Sequence, residues 1–182
     1  MRHKKSTTTF PLTSLLMLTL QACTTTPPLP DETLPLNYLQ VSEGLVTSGQ
    51  PSAQQIAALS VRQYRLVIDL APSDNPLTSH EAYLLGQKGI AYAAIPVSSD
   101  QPSYRDFRLF SKLLEAVGKA PVWVHCRANN RASMFTFLYR VIHEGADPDS
   151  AYESVTLLWV PTPHWVSFAR ETLAQHHISY AF

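Results

Sequence analysis

The chain is poor in cysteine: among 182 residues only Cys23 and Cys126 carry a thiol. So few exclude a disulfide-stapled scaffold and a zinc site built from several thiolates. Net charge is lacking too, since 14 Lys and Arg balance 14 Asp and Glu. That balance removes the basic face which nucleic-acid backbones demand, so no nucleic acid is expected as partner. No internal repeat, low-complexity run or metal-spaced Cys/His cluster is visible, and no metal or other cofactor is expected. Nor is there a hydrophobic run of membrane-spanning length, because the apolar stretch Phe10 to Leu20 is too short.

That stretch follows Arg2, Lys4 and Lys5, and a basic segment before a short apolar one is the pattern of an export signal. It ends in Leu20-Gln21-Ala22-Cys23, which resembles the bacterial lipobox, where cleavage before the cysteine leaves that thiol to carry lipid. The alternative is a plain secretory signal with an incidental cysteine. Residues 1–22 are thus expected as a lipoprotein signal peptide and 23–35, rich in Thr and Pro, as a lipidated Cys23 with a hydrated tether. Thr24 after the cysteine, rather than Asp, favours the outer membrane, with the chain anchored by lipid and facing the periplasm. The signal takes three of the 14 basic residues, so 11 remain against 14 acidic ones, a formal −3. Residues 36–182 are enough for one domain with its own core.

Within that domain strand and helix patterns alternate. Gly44 to Ser48, Tyr64 to Leu70, Ile90 to Val97 and Val122 to His125 read as strands. Ser52 with Gln55 reads as a capping box, Thr78 with Glu81 as a helix cap, and Ser103 with Asp106 as a helix start. The helix from Ser103 runs to about Val117, the one from Arg131 to Glu144 is apolar nearly all round, Asp147-Pro148 starts another, and a last helix ends near His177. Such alternation implies an α/β fold: three layers, with a mainly parallel sheet of four to five strands and helices on both faces. Ligands in these folds bind at the carboxyl ends of the strands. The Ser48 turn, the Asp69 loop, the Asp100 loop and the Cys126 loop should therefore share one rim, Asp69 more as a loop cap than as a catalytic group.

The segment Val122-Trp123-Val124-His125-Cys126-Arg127-Ala128-Asn129-Asn130-Arg131-Ala132-Ser133 runs from strand through a polar turn into a helix. N–H groups opening a helix have no intrahelical acceptors and favour an anion. Together with Arg127 and Arg131 they would favour the thiolate of Cys126, an anionic nucleophile. Arg131 presents a planar fork suited to bidentate oxyanion binding and, at a helix start, is expected to face solvent. Arg127 either reaches a substrate or is a solvent-facing charge. Asn129 and Asn130 are residues that tolerate the left-handed conformations of a tightly wound loop.

His125-Cys126, a short loop, Arg131 and the hydroxyl of Ser133 resemble the signature of the cysteine-dependent protein tyrosine and dual-specificity phosphatases. Four residues separate Cys126 from Arg131, where that family usually has five. The short spacing is similar to a bacterial branch of phosphatase-like domains, including one in beta-lactamase-hydrolase-like proteins. That branch also carries segments like Ser48-Gly49-Gln50-Pro51 and Ile95-Pro96-Val97, so the resemblance spans Leu36 to Phe182.

The resemblance implies a dual-specificity-phosphatase-like fold and hydrolysis of a phosphomonoester, on a phosphorylated protein or small molecule, through a phospho-cysteine. It implies Cys126 as nucleophile, Arg131 as clamp, Ser133 as the hydroxyl that helps the thiolate leave, and His125, Arg127, Ala128, Asn129 and Asn130 as the substrate-binding loop. Asp100 is the candidate general acid, with Asp74 and Asp106 as rivals. Two other readings stay open: sulfur transfer through a Cys126 persulfide, because a four-residue loop is also that of rhodanese-type sulfurtransferases, and an anion-binding domain without turnover.

Overall fold

β-Branched and apolar residues over Leu45–Ser48, Leu66–Asp69 and Val122–His125 are buried at every position and form the centre of a five-stranded sheet. The computed structural model describes residues 34–60, 63–72 and 76–182, all within the unit Asp31–Phe182. The predicted signal, Cys23 and the tether up to residue 33 lie outside the described residues, as does Asp74. No described helix is long and apolar enough to cross a membrane.

In chain order the elements are β1 (Leu39–Ser42), β2 (Leu45–Ser48), α1 (Ala53–Ala58), β3 (Leu66–Asp69), α2 (Pro76–Gln87), β4 (Ala91–Ala94), α3 (Tyr104–Val117), β5 (Val122–His125), α4 (Asn130–His143), α5 (Pro148–Thr156) and α6 (Pro163–Ala174). The sheet order is β1-β2-β5-β3-β4. β2, β5, β3 and β4 are parallel, and β1 adds an antiparallel edge. Side chains alternate between faces, as the period of two requires. Leu66, Ile68, Val122 and Val124 pack with Phe107, Phe110, Phe135, Phe137 and Phe168 from α3, α4 and α6. Val46, Val67 and Trp123 pack on the other face with Ile56 of α1 and Leu85 of α2. The three-layer, mainly parallel expectation therefore holds.

The local helix-start signals hold at three of four places. Ser52 and Gln55 form the reciprocal capping box of α1, Ser103 Oγ accepts from the Asp106 N–H at α3, and Asp147 caps α5 through the Ser150 N–H. The exception is Thr78 with Glu81: α2 starts earlier, at Pro76, and the Glu81 carboxylate is buried against other partners. Pairing register aligns Ser48, His125, Asp69 and Ala94, the last residues of β2, β5, β3 and β4, in one row. One sheet edge thus collects the turn, the acid and the Cys loop.

Candidate active site

Cys126 leaves the sheet directly after β5, with its N–H bonded to Ser48 O at 3.2 Å and its side chain 1% exposed. The loop then turns back on itself because Asn129 adopts the left-handed conformation, φ 71°. Asn tolerates this region best among residues with a Cβ. Asn129 is also the N-cap of α4, yet its side chain makes no cap hydrogen bond. Its Nδ2 donates instead to Asn37 O at 2.7 Å and Thr47 Oγ1 at 2.9 Å. The amide therefore ties the loop to the β1–β2 hairpin and leaves the first-turn N–H groups of α4 uncapped by it, open to an anion.

A pocket of about 220 Å³ sits there, lined by Ser99, Cys126, Arg127, Ala128, Asn130, Arg131, Trp159 and Trp165. Five of the expected residues meet in it: Cys126, Arg127, Ala128, Asn130 and Arg131. His125, Asn129 and Ser133 lie behind it. The Ser133 hydroxyl donates to Asn130 O at 3.0 Å and accepts from Trp159 Nε1 at 3.2 Å, fixing the loop and the indole together. Asp100 is exposed and lines a neighbouring groove with Gln101, Tyr104 and His164, while the adjacent Ser99 lines the Cys126 pocket. Asp106 is engaged by the Ser103 hydroxyl at 2.7 Å as a helix-start charge. Among the described residues no carboxylate lines the pocket.

Arg131 departs from expectation in one respect. It does not face solvent but is 8% exposed, with Nη1 donating to Leu70 O at 3.1 Å and to Val97 O at 3.4 Å. Those carbonyls follow β3 and β4, so one guanidinium nitrogen braces the strand ends while the residue still lines the pocket.

Sequence reasoning missed the pocket walls and the support below. Trp165 Nε1 donates to Ser99 O at 2.9 Å, pinning the loop after β4 to α6. Trp159 and Trp165 stand edge to face. Behind the Cys loop, His125 is fully buried between two carboxylates: Nε2 lies 2.7 Å from Glu81 Oε1 and Nδ1 lies 3.6 Å from Asp69 Oδ1. Neither contact is a hydrogen bond, the second being too long, and both ring nitrogens and Glu81 Oε1 lack other partners. Gln50, from the Ser48 turn, donates to Glu81 Oε2 at 2.9 Å. Asp69 accepts from Ala71 N–H and Tyr92 O–H, so it caps the loop as expected and also faces His125. Burial pushes the Asp69 carboxyl above its usual range, opposed by His125 and the Ala71 N–H. Burial likewise pushes the Tyr92 phenol up, reinforced by the Asp69 and Glu81 charges.

Asp69, Glu81 and His125 offer ligand atoms within 4.8 Å of one another, as a cation site would. The 2.7 Å separation of Nε2 and Oε1 argues against a shared ion. Two ligands of a tetrahedral zinc with bonds of about 2.0–2.1 Å stand about 3.3 Å apart. The ring also lies between the carboxylates, a nitrogen toward each, which fits a charge network better than a coordination sphere. The signal for Glu81 was its position four residues before the buried Leu85, on the inward face of α2.

No family model matches the chain. The solved structure of a phosphatase-like DUF442 protein from Shewanella putrefaciens is 30% identical, with TM-score 0.70, covering 78% of this chain and 93% of that one. The dual specificity protein phosphatase TpbA of Pseudomonas aeruginosa is 27% identical over 122 residues, 66% of this chain and 53% of that protein. A beta-lactamase hydrolase-like protein of Xylella fastidiosa is 29% identical over 111 residues, 59% of this chain and 26% of that protein. The chain thus spans about half the length of the first curated relatives and a quarter of the latter. With a strand-to-helix loop carrying Cys126 and Arg131, and a solved relative matched over nearly its full length, the chain belongs to the bacterial cysteine-dependent phosphatase-like family.

Proposed function

We propose that the chain hydrolyses phosphomonoesters, on phosphorylated protein or small molecules, through a phospho-cysteine at Cys126. The observation that carries this reading is the pocket in which the Cys126 sulfur, Arg131 and the uncapped start of α4 converge. The thiolate attacks phosphorus, the S–P bond forms, and the P–O bond to the alcohol breaks. Arg131 and the loop N–H groups hold the phosphoryl oxygens as charge builds on them. Asp100 gives its proton to the departing oxygen, which requires its carboxyl to turn toward the pocket that Ser99 already lines. A water then attacks phosphorus, returns a proton to Asp100, and the S–P bond breaks to release phosphate and the thiolate.

The name of the Pseudomonas relative supports dual specificity toward phosphoproteins. Turnover of para-nitrophenyl phosphate and of a phosphotyrosine peptide, lost in Cys126→Ser and reduced in Asp100→Asn, is the expected result. Hydrolysis that persists in Cys126→Ser removes the mechanism. Lipid attachment at Cys23 and periplasm-facing residence in the envelope belong to the same proposal, and Cys23→Ser should abolish labelling by radioactive palmitate in cells.

Among the described residues no carboxylate lines the pocket, which favours one second reading, sulfur transfer, which needs no acid for an alkoxide. In it the Cys126 thiolate takes the outer sulfur of thiosulfate as a persulfide and releases sulfite. A mass gain of one sulfur on the wild type but not on Cys126→Ala, without phosphatase turnover, would select it.

A further inference from the structure

We propose that Glu81 is a positioning residue for the Cys126 nucleophile, acting through His125. This rests on Cys126 being the reacting group, as proposed above. His125 immediately precedes Cys126, and its ring is 0% exposed, with Glu81 Oε1 at 2.7 Å from one nitrogen and Asp69 Oδ1 at 3.6 Å from the other. Glu81 itself is 1% exposed and comes from α2, a different layer from the Cys loop. A carboxylate is not buried so deeply for stability alone, because removing it from water costs several kcal/mol unless its partners repay it.

Two partners meet it here. Gln50 donates to Oε2 and belongs to the turn whose N–H also bonds Arg127 O in the Cys loop. His125 faces Oε1. The imidazole is wedged between two carboxylates from different elements, a nitrogen toward each, so it cannot turn without leaving one of them. Glu81 therefore fixes the orientation of the ring beside the thiolate. Among the described residues the charged or titratable groups facing that ring are Asp69 from β3 and Glu81 from α2, with Tyr92 of β4 one hydrogen bond further through Asp69.

The test is a double-mutant cycle with Glu81→Gln and His125→Gln in the full chain, read by kcat, KM and the rate of Cys126 alkylation by iodoacetamide at neutral pH. Glu81→Gln keeps the side chain's shape and should lower kcat and alkylation by roughly tenfold to a hundredfold, with KM little changed. In the His125→Gln background the same change should cost nothing further, since residues acting as a unit are not additive. Additive losses, or a lowered melting temperature with alkylation intact, would overturn the proposal, as would one equivalent of tightly held zinc in the purified chain. If Glu81→Gln does not fold, Gln50→Ala, which strips the support from Glu81 Oε2, should lower alkylation in the same direction, and unchanged alkylation there sinks the idea. Alkylation does not depend on phosphatase turnover, so loss of the hydrolase reading and loss of this one are told apart.

Discussion

Gly49 and Arg127 meet backbone to backbone: a Cβ on Gly49 would stand 3.0 Å from the Arg127 carbonyl oxygen and 3.0 Å from that of Leu36. The neighbouring Gln50 N–H bonds that same Arg127 oxygen at 3.2 Å, and Gly49 forms an isolated antiparallel bridge with Ala128. The Ser48-Gly49-Gln50-Pro51 turn is thus a wall against which the Cys loop is laid. Neither obstructing atom is the end of a flexible side chain, so one backbone segment must give.

Gly49→Ala is therefore expected to destabilise by about 1–3 kcal/mol, the usual cost of forcing a methyl into a packed place. For a domain of this size each kcal/mol lowers the melting temperature by about 2–4 °C. Differential scanning fluorimetry checks it, and an unchanged transition would mean that the turn and the loop are not in register as described.

Asn129 offers a test of the loop's shape that separates conformation from bonding. Asn129→Gly keeps access to φ 71° but loses the bonds to Asn37 O and Thr47 Oγ1, a cost of about 1–3 kcal/mol for stranded buried groups. Asn129→Ala loses the same bonds and adds about 1–2 kcal/mol for a left-handed residue with a Cβ. Urea unfolding should rank wild type above Gly and Gly above Ala. Ala equal to or above Gly would show that the strained conformation is not what Asn129 is there to supply.

What was legible in the sequence was what is local. The helix starts at Ser52, Ser103 and Asp147 depend on residues three apart or closer, and each helix begins where it was read. Thr78-Glu81 has the same local pattern, but a tertiary demand overrides it: His125 and Gln50, both distant in sequence, draw the Glu81 carboxylate inward. β1 went unread because it is a four-residue edge strand with little burial, whose pairing with β2 is irregular between Gln40 and Ser42. Cys126 and Arg131 were visible through their spacing around a strand-to-helix turn. Trp159 and Trp165 were not, since nothing in Trp159-Val160-Pro161-Thr162-Pro163-His164-Trp165 says which loop it covers until α6 packs on α4.

The Asp69 carboxyl carries a pH prediction whose sign follows from burial. Burial holds its folded-state value above the ordinary 3.8, so folding favours the protonated form. The stability this supplies is fully present below pH 3.8 and is lost as pH rises through the raised folded value. Asp69→Asn cannot titrate and can still accept the Ala71 N–H. The stability of wild type minus that of Asp69→Asn should therefore fall as pH increases from about 3 and level off once Asp69 is ionised in the folded chain. Urea midpoints at half-unit pH steps would check it, and a difference that grows with pH would mean that the His125 and Ala71 contacts outweigh burial.

Arg131 is asked to do two things at once, and its variants should reveal both. Nη1 is spent on Leu70 O and Val97 O, which leaves the rest of the guanidinium for the pocket it lines. An ammonium at the same place is a single point of charge: it can brace the carbonyls or meet an oxyanion, but it has no fork with which to do both. Under the proposed mechanism Arg131→Lys and Arg131→Ala should each lower turnover number by about 10²–10³, the usual loss for one preorganised transition-state donor. They should differ in stability. Ala strands two buried carbonyls, at about 1–3 kcal/mol for each, whereas Lys retains a donor for one of them. Steady-state kinetics and urea unfolding on the same preparations decide the matter. If Arg131→Lys kept more than about a tenth of wild-type turnover, the bidentate fork would not be limiting, and Arg127, on the same pocket wall, would become the better clamp.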